Sequence, residues 1–176
     1  KERGYGHWVW QTYIHQLVLS QIDYGDIYHW CDVGCHFNQK GIWRLKEYID
    51  LVNNDEKGFL FFSYTKPIVN KINKDYDFPN NYEYQYTKSD LLKYFNLKLS
   101  DEIVQTPQVW GGSFFLKKTK SSESLMKKHY DITRNRYDLI DDDETKFIEG
   151  SHEGFVAHRH SQSVLSILAK KENCQF

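Results

Sequence analysis

The run Ile27-Tyr28-His29-Trp30-Cys31, apolar or aromatic throughout and cut off by Asp32-Val33-Gly34, does most to limit what this chain can fold into. Such a run reads as a buried strand that delivers a carboxylate at its carboxyl end, where open α/β sheets place ligand sites. Beyond it, Ile42, Leu45, Ile49 and Val52 recur at helical spacing as far as Asn53-Asn54, and Gly58 to Tyr64 is again strand of nearly continuous aromatic character. Strand, helix and strand in that order predict a parallel crossover unit in an α/β fold.

The flanking segments fit that class. Trp10, Ile14, Leu17 and Val18 fall on one face of a helix from Trp8 to Ile22, stopped by Asp23-Tyr24-Gly25-Asp26. Residues from about Lys66 to Thr87, rich in Asn, Lys, Asp and Tyr, predict a long surface excursion of the kind that often carries function. Thr87 ahead of Asp90, Leu91, Leu92 and Phe95 has the form of an N-cap and a short helix. Gly111-Gly112 open a strand from Ser113 to Leu116, and a helix follows from Ser121 to about Arg134. Asp141-Asp142-Asp143-Glu144 reads as an exposed acidic turn, and a last helix, Ser161 to Lys171, carries Val164, Leu165, Ile167 and Leu168.

Composition narrows the functional classes. Leu, Ile, Val and Phe make up about a quarter of the 176 residues, enough for a core, and the length predicts one domain over residues 1–176. Lys and Arg number 23 against 24 Asp and Glu, so no basic field points to nucleic acid. No apolar run approaches the roughly 20 residues that cross a bilayer, so no transmembrane segment is expected. The odd count of cysteines, Cys31, Cys35 and Cys174, favours a reducing compartment. Cys31 and Cys35 have a spacing that suits two zinc ligands, but no second pair follows them. The chain has no P-loop, dinucleotide fingerprint or nucleophile elbow, which removes the common ATPase, dehydrogenase and α/β-hydrolase readings.

Four segments could carry chemistry. In Asp32-Val33-Gly34-Cys35 a carboxylate can hold a hard divalent cation, or it can simply cap the next turn. His152-Glu153 and His158-Arg159-His160-Ser161-Gln162-Ser163 gather imidazoles and a guanidinium just before the last helix, where metal and phosphate oxygens are both accessible ligands; a solvated loop is the bland alternative. Gln108-Val109-Trp110-Gly111-Gly112 lets backbone pass close to a sugar or nucleotide, or makes a tight turn. The aromatic opening Tyr5-Gly6-His7-Trp8-Val9-Trp10 offers indole faces to sugar rings, though at least one of the tryptophans suits the core.

In chain order the four segments resemble a family of GT-A type nucleotide-sugar glycosyltransferases found in bacterial surface-polysaccharide gene clusters and in large DNA viruses. That pattern has a Gly-Tyr-Trp-x-Trp-Lys-Pro opening, a strand ending Asp-Ala-Gly-Cys, a Gln-x-x-x-Gly segment before a strand, and a closing His-Arg-His-Asp-Gln-Ser. The resemblance implies a mixed sheet flanked by helices, with the usual first strand lying upstream of Lys1. It implies metal-dependent transfer of a hexose or deoxyhexose from a UDP-sugar to a glycan acceptor, in the cytoplasm of a bacterium or a virus-infected host cell. By the same resemblance Asp32 holds Mn²⁺ or Mg²⁺ together with His158 or His160. Trp8, Trp10, Gly34, Gln108, Gly111, Gly112, Arg159 and Gln162 would then bind the donor, and Glu153 or Asp90 would be the carboxylate for a general base. Three departures stand out: Gln11 and Thr12 replace Lys and Pro, and Ser161 replaces the Asp of the closing motif. They raise the alternative of a degenerate carbohydrate-binding or assembly domain on the same scaffold.

Overall fold

A computed structural model describes residues 4–63, 81–174 and 176. The chain enters through a turn, Gly4–His7, whose Tyr5 and Gly6 are left-handed, and continues into helix α1, Val9–Gln21. Strand β1 is Ile27–Cys31 and helix α2 is Ile42–Asn54; strand β2 shrinks to Phe59–Leu60. Two short helices, α3 (Glu83–Tyr86) and α4 (Ser89–Tyr94), precede strand β3 (Ser113–Lys117), and the long helices α5 (Lys120–Asn135) and α6 (His160–Lys171) close the chain. Most of the expected excursion, and Tyr64 of the expected second strand, lie outside the described residues.

Among the described residues the sheet has the order β1-β3-β2, and both pairings are antiparallel. Cys31 stands opposite Ser113, Ile27 opposite Lys117, and Leu60 opposite Phe115. The expected crossover is therefore corrected. β1 and β2 run the same way, but β3, arriving much later in sequence, occupies the slot between them. The result is a small, mixed α/β arrangement built on an antiparallel sheet.

Alternation along β3 builds two cores. Phe114 and Leu116 face the larger one, where Tyr28 and Trp30 of β1 meet Leu125, Met126 and Ile132 of α5 and Val164, Leu165 and Leu168 of α6. Phe115 faces the other side, against Val52 and Leu45 of α2. Each such aromatic or leucine side chain contributes about 1.5–3 kcal/mol on burial. Gly58 makes the close approach of β2 to β3 possible: its φ is 82°, and a Cβ there would lie 2.5 Å from the carbonyl oxygen of Lys117.

Two local expectations shift. The buried face of α1 is Thr12, His15 and Leu19, whereas Trp10 and Leu17 are exposed, because polar pairs satisfy this face: the Thr12 and Thr133 hydroxyls hydrogen-bond at 2.9 Å and His15 Nδ1 meets the Tyr28 hydroxyl at 2.9 Å. Thr87 ends α3 instead of capping α4, and its hydroxyl donates to Glu83 Oε1 at 2.6 Å. The cap of α5 is Thr119, whose Oγ1 accepts from Ser122 N–H at 3.0 Å while Ser122 Oγ accepts from Thr119 N–H at 2.8 Å.

Candidate functional site

The carboxyl end of β1, the turn before β3 and the first turn of α6 meet in one cleft of about 230 Å³, with Trp8 and Gln11 at the start of α1 forming another wall. Asp32 is fixed there by its backbone: its N–H donates to the Gly112 carbonyl at 2.9 Å, and its own carbonyl accepts from Cys35 N–H at 2.9 Å. Burial raises the pKa of its carboxyl, with the Trp30 indole acting in the opposite sense. Gly112 must be glycine for this geometry, since a Cβ would lie 2.6 Å from Trp110 Nε1 and 2.8 Å from Asp32 Oδ2.

The closing segment supplies the opposite wall. Gln162 Oε1 accepts from Gly111 N–H at 3.1 Å, tying α6 to the glycine pair. The Arg159 guanidinium stacks 4.6 Å from the centre of the Tyr86 ring, and among the described residues no carboxylate pairs with it. A cation so held, on the wall of a cleft, suits an anionic ligand.

Several expected residues lie elsewhere. Trp10 is 43 % exposed, with Nε1 donating to the Gly4 carbonyl, and is not on the cleft wall. Gly34 is exposed, with open space around it. Gln108 is buried behind the wall, where its amide donates to Glu83 Oε1 at 2.8 Å and Ser163 Oγ at 3.0 Å. Glu153 is exposed and off the cleft, and Asp90 Oδ1 accepts from the N–H groups of Ile148 and Glu149. His158 is spoken for on both sides: Nδ1 accepts from Lys88 N–H and Nε2 donates to the Leu139 carbonyl at 2.9 Å, so its ring has no lone pair for a metal.

His160 does reach the cleft, but the titratable side chains beside its Nε2 are Asp142 and His7, not Asp32. His160 Nε2 lies 3.6 Å from Asp142 Oδ2, and His7 Nε2 lies 3.2 Å from Asp142 Oδ1. The two imidazoles stack with centroids 4.4 Å apart and planes 5° from parallel. The ligand atoms of His7, Asp142 and His160 all lie within 4.8 Å of one another, a group that could hold a metal ion. The sequence carried little sign of it: His7 sat inside an aromatic segment and Asp142 inside an acidic turn.

The cleft also holds residues to which the sequence assigned no site role: Trp110 from the glycine segment, and His15, His129 and Leu165 among others. His129 Nε2 donates to the Ser161 carbonyl at 2.9 Å, and burial lowers its pKa to about 4. Burial, with the neighbouring His129, lowers that of His15 to about 3. Both rings are neutral at physiological pH, and the carboxylate and guanidinium on the cleft wall are those of Asp32 and Arg159. Cys31, Cys35 and Cys174 are free thiols. No helix among the described residues is long and apolar enough to cross a membrane.

The chain matches no family model, no curated protein and no solved structure. The class defined by fold and site together is that of a mixed α/β protein with a charged, aromatic-walled cleft at one end of a small sheet.

Proposed function

We propose that the cleft binds a nucleotide sugar and that the chain is a metal-dependent glycosyltransferase, moving a hexose or deoxyhexose from a UDP-sugar to a glycan hydroxyl. The observation that carries this reading is the convergence of four distant segments on one cleft, through Trp8, Asp32, Gly111 and Gly112, and Arg159 with Gln162. Arg159 would pair with the donor diphosphate, the indole faces of Trp8 and Trp110 would stack on sugar or base, and the glycine pair would let the ligand lie close to backbone. Asp32 supplies one hard oxygen for Mn²⁺ or Mg²⁺. Such ions commonly bind through one or two carboxylates, with substrate phosphates and water completing the shell, so a single protein ligand fits that chemistry. A divalent cation supplies charge neutralisation on the leaving diphosphate when bound. Asp32 and the glycine pair orient the donor, and the cleft walls limit access of water to the anomeric carbon.

A second reading, a binding domain on the same scaffold without catalysis, is favoured by one feature. Neither Glu153 nor Asp90 lines the cleft, and Ser161 stands on its wall where the resemblance leads one to expect a carboxylate. Calorimetric titration of UDP with Mn²⁺ and then with EDTA, on wild type, Asp32→Ala and Arg159→Ala, separates the two. The enzyme reading expects metal-strengthened UDP binding that both variants weaken at least tenfold. Glycan binding that needs neither UDP nor metal would establish the binding domain instead.

A further inference from the structure

We propose that His7, Asp142 and His160 bind one borderline divalent transition ion, of the Zn²⁺ and Co²⁺ class, which fastens the amino-terminal turn and the acidic loop to the start of α6 beside the cleft. The proposal stands apart from the nucleotide-sugar reading, since it uses neither Asp32 nor a nucleotide.

The donor set selects the ion. Two imidazoles and a carboxylate suit Zn²⁺, Co²⁺ and their neighbours, whereas Mg²⁺ and Ca²⁺ take oxygen shells. Spacing is near what such an ion needs. His7 Nε2 lies 3.2 Å from Oδ1 and His160 Nε2 3.6 Å from Oδ2 of the one carboxylate, and the three ligand atoms lie within 4.8 Å of one another. Ligand atoms of a tetrahedral ion with bonds of about 2.0–2.1 Å stand ~3.3 Å apart, so binding requires the group to close slightly and the two parallel rings to turn until both Nε2 lone pairs aim at one ion.

The far side of each ring is also held as ligating imidazoles are held. His160 Nδ1 donates to the Ile140 carbonyl at 3.0 Å, which leaves the Nε2 lone pair facing Asp142, and His7 Nδ1 meets the Tyr137 hydroxyl at 2.9 Å. The Asp142 side chain is 32 % exposed, which gives an ion a way in.

Backbone conformation points the same way. His7 (φ 55°), its neighbours Tyr5 (53°) and Trp8 (59°), and His160 (54°) all occupy the left-handed region without being glycine. Residues persist there where their surroundings over-determine them. One ion shared by both imidazoles is an interaction of that strength, and it joins segments from the beginning, the late loop and the last helix of the chain. Three protein ligands leave a further coordination position for water or a ligand group, beside a cleft that His160 itself lines.

The test is Co²⁺ titration of the EDTA-treated 176-residue chain, followed by visible d–d absorption and by thermal melting. Wild type is expected to take up one Co²⁺, to release it to one equivalent of Zn²⁺, and to melt at a higher temperature with Zn²⁺ than with EDTA. His7→Phe and Asp142→Asn should each weaken Co²⁺ binding at least tenfold, and Asp32→Ala should leave it unchanged. Far-ultraviolet circular dichroism confirms that each variant is folded; for one that is not, His7→Gln or Asp142→Ala takes its place. The proposal is overturned if wild type gives no d–d bands, if neither ligand variant lowers affinity, or if Asp32→Ala abolishes binding. Intense near-ultraviolet thiolate-to-cobalt bands, lost in the Cys31→Ser/Cys35→Ser variant, would equally overturn it by placing the ion on cysteine.

Discussion

Gln162 donates through Nε2 to Gln108 Oε1 at 3.1 Å, while its own Oε1 accepts from Gly111 N–H at 3.1 Å. One amide thus links a core polar network to the backbone of the cleft. Gln162→Leu keeps most of the volume but leaves the Gln108 carbonyl oxygen without this donor, at a cost of about 1–3 kcal/mol. Urea denaturation should show that loss, and UDP affinity should fall with it because the glycine pair loses its anchor to α6. A Gln108→Leu/Gln162→Leu double variant should lose less stability than the two single changes added together, as expected for residues in one network. Strict additivity would mean that the two amides do not act as a unit.

Much of the fold was legible because it is written in local periodicity. The strand Ile27–Cys31 and the helix Ile42–Asn54 fall where an unbroken apolar run and helical spacing put them. What escaped depends on partners far away in sequence. Nothing near Ile27 or Phe59 announces that Phe114 and Phe115 will come between their strands. The buried face of α1 is hidden for the same reason, since Thr12 is a core residue only because Thr133 faces it. The cleft was legible as motifs, yet the sorting of its members was not. Gln108 and His158 look like ligand-binding groups in a sequence and turn out to satisfy buried backbone and side-chain partners.

The network behind Gln108 ends in an ion pair. Lys170 Nζ lies 2.7 Å from Glu83 Oε2, with side-chain exposures of 7 % and 0 %, and Ser166, Thr87 and Gln108 also donate to the carboxylate. Burial lowers the pKa of Lys170 and Glu83 opposes that shift. Glu83→Ala leaves a buried ammonium without its counter-charge, so stability should drop by about 3–5 kcal/mol. Glu83→Gln keeps the hydrogen-bond acceptor and should cost less. The midpoint of chemical denaturation measures both; a loss under about 1 kcal/mol for Glu83→Ala would show that water or another residue takes the place of the carboxylate.

Three buried histidines set an acid limit. Burial lowers the pKa of His15 to about 3 and of His129 to about 4, and holds His158 well below its ordinary value of 6.5. The unfolded chain takes up these protons near 6.5 while the folded chain does not, so the stability is complete above that pH. It falls as pH drops from about 6.5 toward 4, by up to about 1.4 kcal/mol per pH unit for each ring. Thermal melts between pH 7.5 and 4.5 should therefore show destabilisation setting in well above the carboxylate range. His158→Gln, whatever its baseline stability, should flatten the slope by about one ring's share; an unchanged slope would assign the acid limit to other groups.

Gly112 tests the cleft with the least disturbance. A methyl group there would lie 2.6 Å from Trp110 Nε1 and 2.8 Å from Asp32 Oδ2, and both atoms belong to side chains on the cleft wall. Gly112→Ala must push one or both aside, an overpacking that costs about 1–3 kcal/mol. Its effect on ligand binding should be larger than its effect on folding, with UDP affinity in Mn²⁺ lowered at least tenfold in calorimetry. Gly34→Ala is the matched control, because a Cβ there meets nothing within 4 Å. That variant should bind UDP as wild type does and melt within a degree or two of it, since surface changes away from special contacts stay within about 0.5 kcal/mol. Wild-type UDP binding by Gly112→Ala would place the nucleotide away from Asp32 and Trp110, and the cleft would lose its claim to the donor.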